Sequence, residues 1–156
     1  MIKRHENFTI ENAGFRINPQ YPYIGASPDG LVHCVCCNNG LVEIKCPFCF
    51  RNTAIDEIDS PKFCLEKKDG NLQLKKDHQY FFQIQMQMRV CDAPYCDFVI
   101  WTCDDKTKGA PFVQRILADD HFFDEQLTKL EAFHKQVILP NLLAKTITLP
   151  IKQISQ

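Results

Sequence analysis

Asp29, Glu43 and Lys45 are the residues whose types and spacing suit chemistry. Glu43 and Lys45 stand two apart, so on a strand they project from one face, roughly 6–7 Å apart along the chain. Asp29 lies in Ser27-Pro28-Asp29-Gly30, a run of turn-forming residues. Two carboxylates hold a hard divalent cation such as Mg²⁺ or Mn²⁺ through oxygen. Such a cation polarises a phosphate and lowers the pKa of a bound water. A lysine beside it orients that water or stabilises charge growing on the phosphoryl oxygens. The backbone carbonyl of Ile44, between the two, is a further candidate metal ligand. Hydrolysis of a phosphodiester needs this set. A bare E-x-K triplet is common by chance and reads more simply as a surface ion pair. Here apolar Val42, Ile44 and Cys46 interleave with it, and Pro47 ends the segment abruptly.

A β-hairpin over residues 31–46 brings the three groups together. Its arms are residues 31–37 and 41–46, and Asn38-Asn39-Gly40 supplies the turn, since these types tolerate positive φ. In that register Cys37 faces Leu41, His33 faces Lys45, and Asp29 lies just beyond Lys45. Leu41, Glu43 and Lys45 share one face of the second arm; Val42, Ile44 and Cys46 share the other.

Other elements fill in around the hairpin. Phe8-Thr9-Ile10 and Gly14-Phe15-Arg16-Ile17 read as strand pieces, and Asn18-Pro19-Gln20-Tyr21-Pro22 as a loop. Residues 52–59 and 61–68 read as short helices, and 71–75 as a strand after an Asp69-Gly70 turn. Residues 77–90 lack Gly and Pro and predict a helix capped by Asp77. Residues 96–102 and 111–117 are strands. Phe123, Leu127, Leu130, Phe133, His134 and Val137 follow helical spacing after a cap at Asp119 or Asp120, and Pro140 bends or interrupts that helix. The order implies an α/β (α+β) domain with a central mixed sheet flanked by helices.

The chain of 156 residues suits one domain, and 45% apolar with 24% charged residues is ordinary for a folded globular protein. The net charge of −1 weighs mildly against a DNA binder, yet a local basic patch suffices for a phosphate backbone. Lysines do pair at Lys67-Lys68 and Lys75-Lys76, although such pairs are usually a solvated face. No leader opens the chain and no apolar run is long enough to span a membrane. With nine cysteines, an odd number, this points to a reducing intracellular compartment, nucleus or cytoplasm.

Ser27-Pro28-Asp29-Gly30-Leu31, Leu41-Val42-Glu43-Ile44-Lys45-Cys46-Pro47 and Tyr80-Phe81-Phe82-Gln83-Ile84-Gln85-Met86-Gln87-Met88 occur in that order. Together they resemble the lambda-exonuclease or YqaJ-like viral recombinase family of the PD-(D/E)XK nucleases. The resemblance spans roughly residues 8–145 as architecture, with sharp motif identity at 25–47 and 80–88. It implies a restriction-endonuclease-like core and a Mg²⁺- or Mn²⁺-dependent deoxyribonuclease, an exonuclease on DNA. It implies Asp29 and Glu43 as metal ligands, Lys45 as the catalytic lysine, and Gln83 as the glutamine of Y-x-x-Q near the centre. Tyr80 and Ser27 stand as candidate substrate contacts. Gln79, Gln83 and Gln87 form an i, i+4 stripe, in which Gln79 and Gln87 read as structural or exposed. Family members also carry a further acid on a helix ahead of the first strand. The expected domain is therefore a core over residues 1–149 without that helix, then a tail over 150–156. That lack leaves a second reading, a DNA-binding or scaffolding module that keeps the fold with little or no catalysis. Family members often assemble as rings, so the resemblance leaves an oligomer open, although the sequence itself shows no oligomer interface.

Cys34-Val35-Cys36-Cys37 and Cys46-Pro47-Phe48-Cys49 invite a zinc reading. In the expected hairpin Cys36 and Cys37 lie at the turn, and about 30 Å of strand separates Cys37 from Cys46. Only Cys34 nears Cys46, so ordinary buried or edge thiols are the favoured reading over zinc. His78 and His134 read as packing or surface residues, and His33 as a surface residue near Lys45.

Overall fold

The computed structural model describes residues 7–102 and 110–144. In chain order the strands and helices are β1 (Thr9–Glu11), β2 (Arg16–Ile17), β3 (Gly25–Ala26), β4 (Gly30–Cys34), β5 (Asn38–Lys45), β6 (Leu65–Lys68), β7 (Asn71–Leu74), α1 (Gln79–Cys91), β8 (Tyr95–Ile100), β9 (Phe112–Leu117), α2 (Asp120–Phe133) and α3 (Leu139–Leu143). Five strands make a sheet in the order β1-β4-β5-β8-β9. All its neighbours are antiparallel except β5 and β8, which run parallel. This is the mixed central sheet expected from the sequence. Parallel neighbours need a long crossover, and residues 46–94 provide it.

The β4–β5 hairpin forms, but in another register. Gly30 pairs with Val42, His33 with Asn39 and Cys34 with Asn38. The loop is therefore Val35-Cys36-Cys37, and Asn38-Asn39-Gly40 begins β5. Cys37 N–H donates to Cys34 C=O at 3.4 Å, and Asn38 follows with φ +61°. The left-handed residue directly after the loop turns the chain back into β5, with a twist that suits the flanking strands. The register differs from the expected one by six residues. An even slip keeps every side chain on its face, so Leu41, Glu43 and Lys45 still align. Asp29, however, now comes level with Glu43 and Ile44, not beyond Lys45.

Residues 61–68 do not form a helix. Leu65 to Lys68 pair antiparallel with Leu74 to Asn71, closed by Asp69 (φ +50°) and Gly70 (φ +78°). Positive φ at both central residues is the two-residue turn that Asp-Gly favours, and it recruits the preceding residues as a strand. Over 52–59 only a 3₁₀ turn forms, Ile55–Glu57.

Helix α1 begins one residue later than expected. His78 is the N-cap, its Nδ1 accepting from Tyr80 N–H at 3.2 Å. The helix ends at left-handed Asp92, whose N–H reaches Met88 C=O. It packs against β5 and β8 and also against the β2–β3 pair. Phe81, Ile84 and Met88 bury there with Leu41, Cys96, Phe98 and Ile100 of the sheet. At about 25 cal/mol per Å² of apolar surface, each such side chain contributes on the order of 1.5–3 kcal/mol.

The chain forms two compact units, residues 1–120 and 121–156. The described part of the second is helical. Five π-helical residues, His134–Ile138, separate α2 from α3. Proline has no N–H to donate and crowds the carbonyl four residues back. A π turn ahead of Pro140 takes up that misfit, so the helical run changes register there, as the interruption expected at this proline. The tail expected over 150–156 lies outside the described residues. Among the described residues no helix is long and apolar enough to cross a membrane.

Candidate active site

Glu43 is the centre of the site. It sits on β5 facing α1, with 2% of its surface exposed. A buried carboxylate is costly unless donors satisfy it, and three side chains do so here. Lys45 Nζ bonds Glu43 Oε1. Gln83 Nε2 donates to Oε1 at 2.7 Å, and Gln87 Nε2 to Oε2 at 2.9 Å. The ion pair is thus no solvated surface pair. Gln83 and Gln87 lie one helical turn apart on α1 and so meet the same strand residue. Of the two readings of Gln87, structural or exposed, its burial excludes the second, and its bond makes it a direct partner of Glu43. The i, i+4 stripe held the signal, but only the packing of α1 on β5 shows which of its three amides point inward. Gln79, at the start of the helix, is exposed.

Asp29 stands at the open end of β4, and its Oδ2 accepts from Ile44 N–H at 2.7 Å. This follows from strand geometry. Backbone groups of successive strand residues point to opposite edges. Lys45 C=O accepts from Trp101 N–H at 3.0 Å, on the β8 side. Ile44 therefore presents its N–H and C=O to the other edge, where β4 has ended and Asp29 stands. The Ile44 side chain projects to the opposite face from Glu43 and is exposed.

Tyr80 lies with its ring 4.9 Å from Lys45 Nζ and 6.1 Å from the Phe98 ring. A cation over an aromatic face is attracted by the ring quadrupole, so Tyr80 helps to hold Lys45. His78 packs edge-on to Tyr80 at 4.6 Å. Burial, then the Lys75 charge, lowers its pKa from the ordinary value of 6.5 against the pull of Asp77. Beneath the site, burial and then the Glu43 charge push the Cys96 thiol well above its usual range, which keeps it protonated. Ser27 is exposed two positions before Asp29 and does not bond to Glu43. His33 bonds Asn39 at 2.6 Å, away from Lys45.

The donor set around Asp29, Glu43 and Ile44 C=O is all oxygen, as Mg²⁺ and Mn²⁺ prefer. An ionised carboxylate offers about four acceptor positions. Three donors reach Glu43 and one reaches Asp29, so both acids retain capacity for a cation. The cysteines divide differently from expectation. Cys34 sits at the turn with Cys36 and Cys37, and Cys46 lies past the far end of β5, so Cys34 and Cys46 are not near neighbours.

No individually curated protein sequence matches the chain. An alkaline exonuclease (LHK-Exo) from Laribacter hongkongensis has a similar structure, with 31% identity and a TM-score of 0.63. The same exonuclease in complex with dAMP matches at 31% identity and a TM-score of 0.64. Each match covers 89% of this chain, and the chain spans 62% of the length of that exonuclease. The model of the YqaJ-like viral recombinase domain matches residues 3–94. That stretch contains Asp29, Glu43, Lys45, Gln83 and Gln87, and the fold around them is similar to those exonuclease structures. The chain belongs to the YqaJ-like viral recombinase domain family.

Proposed function

We propose that the chain is a divalent-metal-dependent deoxyribonuclease that removes nucleotides from DNA ends. The observation that carries this reading is the state of Glu43: a buried carboxylate bonded by Lys45, Gln83 and Gln87, beside an Asp29 tied to Ile44 N–H. A hydrophobic residue at Glu43 would suit a mere scaffold better, since a buried ion pair contributes little net stability. A similar exonuclease is known in complex with dAMP, the kind of mononucleotide that such a reaction releases.

Asp29, Glu43 and Ile44 C=O would hold Mg²⁺ or Mn²⁺. When bound, the cation supplies Lewis-acid polarisation of the scissile phosphate and activation of the attacking water. The protein does the rest. Lys45, held by Glu43 and Tyr80, directs its ammonium to the phosphate and offsets charge that grows as the P–O bond breaks. Gln83 and Gln87 fix the Glu43 carboxylate from two sides, so its orientation is set before substrate arrives. Asp29 is aimed by the Ile44 amide. Tyr80 and exposed Ser27 flank this group as substrate contacts.

The test is degradation of end-labelled linear duplex DNA beside a covalently closed circle, in Mg²⁺, in Mn²⁺ and in excess chelator. The expected result is metal-dependent loss of the linear DNA with release of mononucleotides. Glu43→Gln and Asp29→Asn, confirmed as folded by circular dichroism, should show none. DNA left intact in both metals, or full activity in either variant, would overturn the reading. Binding without cleavage would favour a DNA-binding module.

A further inference from the structure

We propose that Cys34, Cys36 and Cys37 form a zinc site at the tip of the β4–β5 hairpin. The three sulfur atoms lie within 4.8 Å of one another. Cys36 Sγ is 3.6 Å from Cys34 Sγ and 3.7 Å from Cys37 Sγ. At a Zn–S distance of about 2.3 Å, two ligands of a tetrahedral site lie about 3.8 Å apart, so the thiols already have the spacing of a zinc edge. Van der Waals contact between sulfurs does not require three of them to converge; the three-residue loop does it. Pairing Cys34 with Asn38 closes the turn and folds Cys36 and Cys37 back over Cys34.

The surroundings supply access from solvent and a compensating charge. Cys34 is buried, Cys37 half-buried and Cys36 exposed, so the cluster reaches from the core to the surface, and water from solvent would supply the fourth ligand of a bound zinc. The Arg115 side chain bonds to Cys37. Arg115 is itself fixed by a two-pronged pair with Asp97, both contacts at 2.8 Å, and by stacking 3.8 Å from the Tyr95 ring. Three thiolates and Zn²⁺ carry a net −1, which a neighbouring guanidinium complements. Soft thiolates select zinc over the Mg²⁺ or Mn²⁺ suited to the oxygen set at Asp29 and Glu43. The two sites are also apart: the five residue steps from Asn38 to Glu43 span about 17 Å. Zinc here would clip the loop of the hairpin whose other end carries both acids.

The experiment uses the whole chain, stripped of metal and held under a non-thiol reductant. Co²⁺ titration should give one equivalent per chain with sulfur-to-cobalt charge-transfer bands, bleached by an equivalent of Zn²⁺. Zinc should raise the thermal unfolding midpoint. Cys36→Ser and Cys37→Ser remove side chains outside the core and should fold, as circular dichroism will verify. Each should weaken zinc by about a hundredfold, while a Cys46→Ser/Cys49→Ser variant binds as the parent does. Absent charge-transfer bands, bands that survive Cys36→Ser and Cys37→Ser, or bands lost in Cys46→Ser/Cys49→Ser would each overturn the proposal. None of these readouts depends on DNA cleavage.

Discussion

Glu43 shows how a buried charge is made usable. Each of its oxygens has a side-chain amide donor, and one also has an ammonium. Removing one donor strands part of the charge. Gln87→Leu should therefore destabilise the fold by about 1–3 kcal/mol, and on the proposed reading it should lower metal-dependent cleavage about 10–100-fold. The readouts are a thermal melt and the Mg²⁺ dependence of cleavage; a raised metal requirement identifies a positioning role that lost stability alone would not produce. An unchanged melt and unchanged metal dependence would mean that Gln87 contributes nothing to Glu43. Lys45 differs in kind, because its charge meets the substrate. Lys45→Ala should slow single-turnover cleavage about 10²–10³-fold with a smaller change in DNA affinity. A parental single-turnover rate with weakened binding would make Lys45 a docking residue, since only interactions stronger in the transition state raise the rate.

Two elements are each set by a single residue, Gly40 in β5 and His78 at the start of α1. Gly40 in β5 lies under the Tyr95 ring: a Cβ there would stand 2.2 Å from the ring's Cζ. The ring cannot yield, because Arg115 stacks on it and its hydroxyl donates to Asn38 C=O at 3.4 Å. Gly40→Ala should cost about 1–3 kcal/mol by overpacking, read as a lower unfolding midpoint. A midpoint equal to the parent's would show that Tyr95 is free to shift. Helix α1 depends on a cap that titrates. His78 accepts from Tyr80 N–H only when Nδ1 is unprotonated, and its folded pKa lies below its ordinary 6.5. The unfolded chain therefore takes up the proton first as pH falls. This contribution to stability is complete above that ordinary value and is lost as pH drops through the lower folded value. His78→Asn keeps an acceptor at the N-cap and should flatten the fall in unfolding midpoint from about pH 7 to about pH 5. An unaltered pH slope in the variant would remove His78 as its source.

At the scale of the molecule, 18 basic and 19 acidic side chains nearly balance. Long-range attraction to a polyanion is therefore weak, and DNA binding on the proposed reading relies on a few local contacts. The log–log dependence of affinity on salt should be shallow, with fewer than about five phosphates neutralised. Fluorescence anisotropy with labelled duplex and Ca²⁺ in place of Mg²⁺ measures it. A slope matching the 6–10 contacts of a strongly basic domain would contradict this.

What the sequence by itself determined is local. Alternation along a strand places Glu43 beside Lys45 whatever the rest of the chain does, and the periodicity of residues 79–91 builds the core face of α1 from Phe81, Ile84 and Met88. Even the misjudged hairpin register preserved the faces, because its error was even. Two loops of equal length compete there, Asn38-Asn39-Gly40 and Val35-Cys36-Cys37 followed by Asn38 as the left-handed residue, and local composition does not rank them. Only the tertiary structure decided that ranking, through pairing with β1 on one side and β8 on the other. By setting that register it gathered Cys34 with Cys36 and Cys37. It also made Gln87 a partner of Glu43, 44 residues away. A contact at that separation is chosen by which helix face fills the sheet's surface, and that choice depends on shape and burial summed over the whole core.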